Sequence, residues 1–459
     1  MRYTAQTVIV SLLLGIALHA LAQDVVRSAP ASIAFVDVNI VRPDNARVDE
    51  HQTVVVSGQK IITVGPAADL SPPAGSRIIE ARGGYLVAGL AEMHAHVPHQ
   101  PTTDEDLQDV LFLWAANGVT TIRGMNGEPS HLVLRERLAK QEVLGPRLFT
   151  AGPPFMGKKI KTADEARRIV IGQQAAGYDF IKVHMGISRT VYDAVARAST
   201  AGDIPFAGHV PAQVGLQRAL EVSQPTIDHL DSYWPALLRE DAVVADIDYG
   251  LLGAPLTPFL DAAKLKPVAE ATREAGVWNV PTLSMAEKFV SPAAANDAES
   301  GLKYMPYRTV SGWTKAANGL QKNLDPEAVA VFLNYRKELV KALHDAGAGL
   351  LLGSDAPQIL NVPGFSIHRE LQLLVEAGLT PAEALVTGTV NPARFLGKED
   401  TFGQIAEGFD ADLILTAGNP LENLTVLREP LGVMLRGIWL SRAEIQSRLQ
   451  LIADKNQQP

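Results

Sequence analysis

The chain has 459 residues, 47% hydrophobic and 20% charged, with 37 Gly and 29 Pro spread along it. Such a composition is globular and excludes disordered, collagen-like and coiled-coil chains, and a net charge of −9 without a basic stripe argues against nucleic-acid binding. No cysteine is present, which removes thiol nucleophiles, disulfides and thiolate metal sites together, so any metal must be held by His, Asp, Glu or a modified side chain.

The first residues read as a targeting segment. Arg2 supplies a positive start, Val8 to Ala22 is an apolar run of 15 residues, and Ala20-Leu21-Ala22 is an A-x-A cleavage signal. That run is shorter than the roughly 20 residues a membrane span needs. Residues 1–22 are therefore expected to be a cleaved signal peptide, and the mature protein to be exported, periplasmic or secreted, without a stable membrane span.

Residues 23–85 carry short β-branched runs between turns (IAFVDVNIV, TVVVSGQKIITVG, SRIIEARGGYLV), the pattern of antiparallel strands. Over residues 86–395 the texture changes to eight apolar strand-like runs: GLAEMHAHV, VTTIRG, RLFTAG, DFIKVHMG, IPFAGHV, PTIDHL, VWNVPTLS and GLLLGSDAP. Amphipathic helical segments such as ADEARRIVIGQQAAG lie between them. Parallel strands need crossover helices, so the fold class predicted is α/β, a (β/α)8 TIM barrel. Residues 396–459 return to strands and turns, and the two β-rich ends are expected to form one small β-sandwich. A stretch of about 231–325 is longer than a barrel repeat needs. It carries Tyr233, Trp234, Trp278, Tyr304, Tyr307 and Trp313, and is read as a substrate-facing insertion.

Polar residues recur at the ends of these strands. His94 and His96, two apart on one strand, point to the same side and can reach one ion. Lys182 ends the fourth strand, His209 the fifth, His229 the sixth and Asp355 the eighth. In a barrel those ends meet at one mouth, where active sites of this fold lie. Singly, a histidine could be a packed core residue and an Asp after Gly-Ser a turn cap. A lysine inside an apolar strand is harder to explain that way, because burying an unpaired ammonium is costly. His184, Tyr233 and His368 are weaker substrate-binding candidates, with Trp234 a pocket wall. His99 is placed on a loop, and His51, His131 and His344 at surface or packing positions.

With these motifs the chain resembles the amidohydrolase superfamily, and within it the branch of Xaa-Pro dipeptidases, ochratoxinase-like amidases and imidazolonepropionase-related proteins. The resemblance runs through GLAEMHAHV, DFIKVH, AGHV, IDHL, GSDAP, ALVTGTVNPARFLG and GFDADLILTAGNPLENL, with Ala88 standing where the family usually has Pro. It implies a binuclear centre of two divalent metal ions, zinc first among them. His94, His96 and Asp355 would hold the more buried ion and His209 and His229 the more exposed one. Lys182 would be converted by carbon dioxide to a carbamate bridging both. It further implies hydrolysis of an amide or peptide C–N bond in a dipeptide or N-acyl amino acid. A metal-bridging hydroxide would attack, and Asp355 would act as general base and then acid.

Alternative readings are a hydrolase of a cyclic amide, urea or carbamate, a mononuclear deaminase, and a non-catalytic metal-binding envelope protein. Against a deaminase, His209 is followed by Val210, Pro211 and Ala212 rather than an HxxE pattern, and no GxSxG elbow suggests a serine nucleophile. The expected partner is a small-molecule substrate, with a homo-oligomer left open.

Overall fold

A computed structural model describes residues 32–157, 159–243, 251–291 and 301–457. The expected signal peptide, residues 1–22, lies outside the described residues. None of the described helices is long and apolar enough to cross a membrane.

The alternating β-branched runs at the two chain ends form a single eight-stranded sheet. Its first part is β1 (Ile33–Arg42), β2 (Arg47–Ser57), β3 (Lys60–Pro66), β4 (Arg77–Glu80) and β5 (Tyr85–Ala88). The second part comes from far along the chain: β14 (Leu413–Thr416), β15 (Gly432–Leu435) and β16 (Ile438–Ser441). The order is β16-β15-β14-β5-β1-β2-β3, with β4 also on β1. The two ends join where β14 runs antiparallel to β5, Leu413 opposite Ala88 and Leu415 opposite Leu86. Inward-facing Phe35, Val38, Val54, Leu413 and Met434 share one apolar cluster, and Phe35 meets Trp439 edge-on with ring centroids 5.1 Å apart. Burial of side chains this size stabilises by about 1.5–3 kcal/mol each, so the cluster couples residues nearly 400 positions apart.

Each of the eight runs read from residues 86–395 contains a strand. β6 (Leu90–Ala95), β7 (Val119–Gly124) and β8 (Arg147–Thr150) form a three-stranded parallel sheet. A five-stranded parallel sheet is made of β9 (Ile181–Val183), β10 (Phe206–Gly208), β11 (Thr226–Asp228), β12 (Trp278–Val280) and β13 (Gly349–Leu350). Isolated parallel bridges link the two: Ala151 to Phe180 and Phe155 to Val183 at one junction, Ala95 to Ala356 at the other. Helices separate neighbouring strands, among them Ala163–Ala176 and Arg189–Gly202. Their starts are capped as the sequence dictates, Thr162 accepting from the Glu165 amide and Ser188 from the Val191 amide. Strand residues buried on both faces pack against these helices in one large cluster that includes Ile122, Leu148, Ile181, Val183, Phe206 and Ile227.

The 231–325 stretch holds more than an insertion. It contains β12 itself, and most of its aromatics face the core rather than the strand ends. Trp278 packs edge-on against Phe395, Tyr304 stacks on Phe365, and Trp313 joins the same cluster as Tyr304. Tyr307 is exposed. The physical reason is simple: large rings contribute more by leaving water in a helix interface than by standing at an open cavity. Within this stretch, residues 244–250 and 292–300 lie outside the described residues.

Candidate metal centre

The carboxyl ends of β6, β9, β10, β11 and the turn after β13 bring their polar side chains to one cavity of about 260 Å³. His94, His96, Lys182, His184, His209, His229 and Asp355 all line it. The donor atoms of His94, His96 and Asp355 lie within 4.8 Å of one another. Asp355 Oδ1 is 3.0 Å from His96 Nε2 and 3.3 Å from His94 Nε2, yet it is buried without a hydrogen bond. A buried carboxylate oxygen facing two imidazole nitrogens and lacking a proton donor is what a cation site requires. Asp355 reaches this position with a left-handed backbone, φ 63°, which aspartate tolerates better than most residues.

Lys182 Nζ lies 3.3 Å from His94 Nε2. His229 and His209 complete the arc, with the His94 and His229 rings 4.5 Å apart and the His229 and His209 rings 4.6 Å apart. His184 continues it, 4.6 Å from His209. Gly208, just before His209, has φ 115°, and a Cβ there would lie 2.6 Å from the Val183 carbonyl oxygen and 2.8 Å from Lys182 Cδ. Glycine is thus what lets the lysine stem pass.

Two of the imidazoles, those of His209 and His229, are hydrogen-bonded at Nδ1 behind the cavity. His209 Nδ1 is 2.6 Å from Asp231, and His229 Nδ1 hydrogen-bonds Thr282 Oγ1 at 2.9 Å. His94 Nδ1 lies 2.8 Å from Asp228 Oδ2, a close electrostatic approach without hydrogen-bond alignment. Asp228 is in turn met by the buried Arg123, which also donates to the Met93 carbonyl at 2.7 Å. Glu92 accepts from the Ser354 amide (2.7 Å), the Ser354 hydroxyl (2.6 Å) and the His94 amide (3.2 Å), tying β6 to the turn that carries Asp355. Glu370 accepts from the amides of Leu283 and Ser284, and Arg336 donates to the carbonyls of His229 and Pro281. These two clamp the segment that presents Thr282 to His229.

Burial sets the protonation. His94 and His229 are held well below the ordinary imidazole range, chiefly by burial and then by neighbouring cations. His184 is lowered to about 3 by burial, with His209 the next cause. Burial likewise lowers Lys182. Neutral imidazoles such as those of His94 and His229 are suited to a divalent ion. Glu92 is pushed up to about 8 and Glu370 to about 7, both by burial.

Two of the weaker substrate-binding candidates do not line this cavity. Tyr233 is fully buried, with its hydroxyl bonded to Thr272 and Asn279. His368 faces a separate cavity with Gln372 and Arg428. The helix that starts at Phe365 turns His368 away from the strand ends, and the short helix Tyr233–Ala236 turns Tyr233 into the core. His99 lies outside as well, bonded to the Asn126 carbonyl, while His131 is buried beside it. The walls that sequence reasoning missed are Met125, Asn126, Pro154, Met156, Leu252, Met285, Phe289 and Gln358. Met125 and Asn126 carried a signal, since they directly follow VTTIRG, and so did Met285 after VWNVPTLS and Gln358 after GLLLGSDAP.

Comparison with known proteins agrees with this geometry. The model of the Amidohydrolase family matches residues 249–440. Ochratoxinase from Aspergillus niger is 34% identical over 140 residues, 29% of this chain and 28% of that protein, so the match spans less than a third of that relative's length. Imidazolonepropionase from Erwinia tasmaniensis is 24% identical over 82% of this chain and 89% of its own. Among solved structures, bottromycin amidohydrolase superposes with a TM-score of 0.71 at 23% identity, covering 94% of this chain and 92% of that one. A Xaa-Pro dipeptidase with bound methionine gives 0.65 at 18%, covering 89% and 100%. Residues 249–440 thus carry an amidohydrolase family domain. The chain's fold is that of amidohydrolase structures, which are of the TIM-barrel type.

Two outcomes follow. Gly208→Ala should lower the free energy of unfolding by about 2–4 kcal/mol, because overpacking and a disallowed backbone add. Gly172→Ala, in a helix with open space around it, should instead stabilise by up to about 1 kcal/mol; urea titration of both variants checks this. Glu370 holds a proton in the fold up to about 7, whereas in the unfolded chain it loses it near 4.5. Its contribution is therefore full below about 4.5 and lost as pH rises through about 7. In metal-free protein, the drop in urea midpoint between pH 5 and pH 8 should be smaller in Glu370→Gln than in the parent.

Proposed function

We propose that the protein is an exported, metal-dependent hydrolase that cleaves an amide or peptide C–N bond in a dipeptide or N-acyl amino acid. The observation that carries this reading is the meeting of five histidines, one lysine and one aspartate in a single cavity at the ends of parallel strands. The bridges Ala95–Ala356, Ala151–Phe180 and Phe155–Val183 support reading the two parallel sheets as arcs of one (β/α)8 barrel spanning about 86–395. The joined chain ends, 23–85 and 396–459, would be its small β-sandwich. A barrel would put every one of these residues at its catalytic face.

The donors fit a pair of divalent ions. His94, His96 and Asp355 would hold one, His209 and His229 the other. Lys182 would serve both after its neutral amine adds to the carbon of carbon dioxide and loses a proton, giving a carbamate with two oxygen donors. An ammonium there would repel both cations, and burial already favours the amine. Imidazole and carboxylate donors without any thiolate suit zinc. When bound, such ions supply an acidified water and polarise the scissile carbonyl.

The chain's own residues do the rest. Asp355 Oδ1, free of hydrogen bonds, takes a proton from the attacking water and returns it to the leaving nitrogen. Asp228, Asp231 and Thr282 keep three imidazoles in register, so little reorganisation is needed as charge develops. His184, on the cavity wall and neutral, is placed to contact substrate.

The test is metal analysis together with a panel of N-acyl amino acids and dipeptides. Hydrolysis of at least one with two metal equivalents per chain is expected; no turnover across the panel with both metals present would refute the amide reading. Lys182→Ala should lower kcat/KM by at least about 100-fold and regain activity when short carboxylic acids are added. Unchanged activity would overturn the role given to Lys182.

A further inference from the structure

We infer that a second, apolar cavity beside the metal centre receives the acyl half of the substrate, so that the enzyme selects amides whose acyl group carries a bulky hydrocarbon chain. This rests on the amide-hydrolase reading above and adds the chemistry of one half of the substrate.

The cavity measures about 300 Å³. Its floor is built by Val210, Leu230, Trp234 and Leu256, all buried, and Met185 and Ala212 stand exposed at its rim. His209 and Leu252 line both this cavity and the metal cavity, so the two adjoin at these residues. The polar groups near it are already occupied. Asp231 is 2.6 Å from His209 Nδ1, the Ser232 hydroxyl donates to the Val210 carbonyl at 2.9 Å, and the Trp234 indole donates to Thr257 Oγ1 at 3.2 Å. What these walls offer an occupant is hydrocarbon contact, which favours an aliphatic or aromatic group over a carboxylate or an ammonium.

Orientation follows from the proton path. Asp355 lines the metal cavity and is absent from the walls of the second one. A group that hands a proton to the leaving nitrogen must lie beside the amine half of the substrate. The acyl half then extends away from Asp355, across the cavity to the His209 side, where the apolar pocket lies. The amine half stays near His96 and Gln358, both on the walls of the metal cavity.

The experiment uses metal-loaded enzyme and one amino acid N-acylated with acetyl, butanoyl or hexanoyl groups. A second readout needs no turnover: calorimetric binding of acetate, butanoate and hexanoate. Each methylene buried should raise kcat/KM and affinity by up to about fourfold, so the hexanoyl-to-acetyl ratio should reach at least about tenfold. Ala212→Trp, a change at an exposed position that fills the pocket from its rim, should bring both ratios close to one. A flat series in the parent, or ratios unmoved by Ala212→Trp in both readouts, would overturn the assignment. If no derivative is hydrolysed but hexanoate still binds more tightly than acetate and Ala212→Trp removes the difference, the pocket stands and the amide-hydrolase reading fails.

Discussion

Lys182 is 2% exposed, its Nζ is 3.3 Å from His94 Nε2, and it forms no ion pair among the described residues. Leaving an ammonium in such surroundings costs several kcal/mol, more than one hydrogen bond returns. The fold nevertheless keeps it there, and Gly208 gives up a side chain so that the lysine stem can pass. This cost is intelligible when the nitrogen is neutral and its neighbours, His94 and His229, are neutral imidazoles. The rest of the site depends on that condition, because a positive charge at this point would oppose any ion held by His94 or His229.

Around the cavity the protein places buried ionisable groups that fix the orientation of the side chains lining it. Arg123, Asp228, Glu92, Arg336 and Glu370 are all fully or almost fully buried. Arg123, Asp228, Glu92 and Arg336 are tied to a histidine of the site or to backbone at or beside one, and Glu370 holds the backbone that follows Thr282. A buried charge with its partners removed is strongly destabilising, so these groups link the geometry of the site to the stability of the fold. The same principle explains why the site sits on strand ends rather than on long loops. His94 and Lys182 lie within β6 and β9, while His209 and His229 follow β10 and β11 directly.

Much of this was legible in the sequence. The eight strand runs, the joined β-rich ends and the residues His94, His96, Lys182, His184, His209, His229 and Asp355 could be read because spacing on a strand decides side-chain direction. Glu92 and Asp228 stood inside the same motifs, yet nothing in a motif says that a carboxylate points behind the cavity. Arg336 and Glu370 are farther from legibility, since they arrive from helices whose packing is set by tertiary contacts. Tyr233 and His368 do not line the metal cavity, for a related reason. Proximity in sequence to a strand end does not fix direction once a helix begins, and both helices turn these side chains away from the cavity. Several aromatics of the 231–325 stretch, Trp278, Tyr304 and Trp313 among them, likewise pack against neighbouring elements.

The state of one nitrogen decides between this account and its rivals. Enzyme loaded with metal in the presence of 13C-labelled bicarbonate should bind two equivalents of divalent ion and give a carbamate carbon resonance that disappears in Lys182→Ala. A single equivalent of metal, with no carbamate resonance in the parent protein, would contradict the account at its centre.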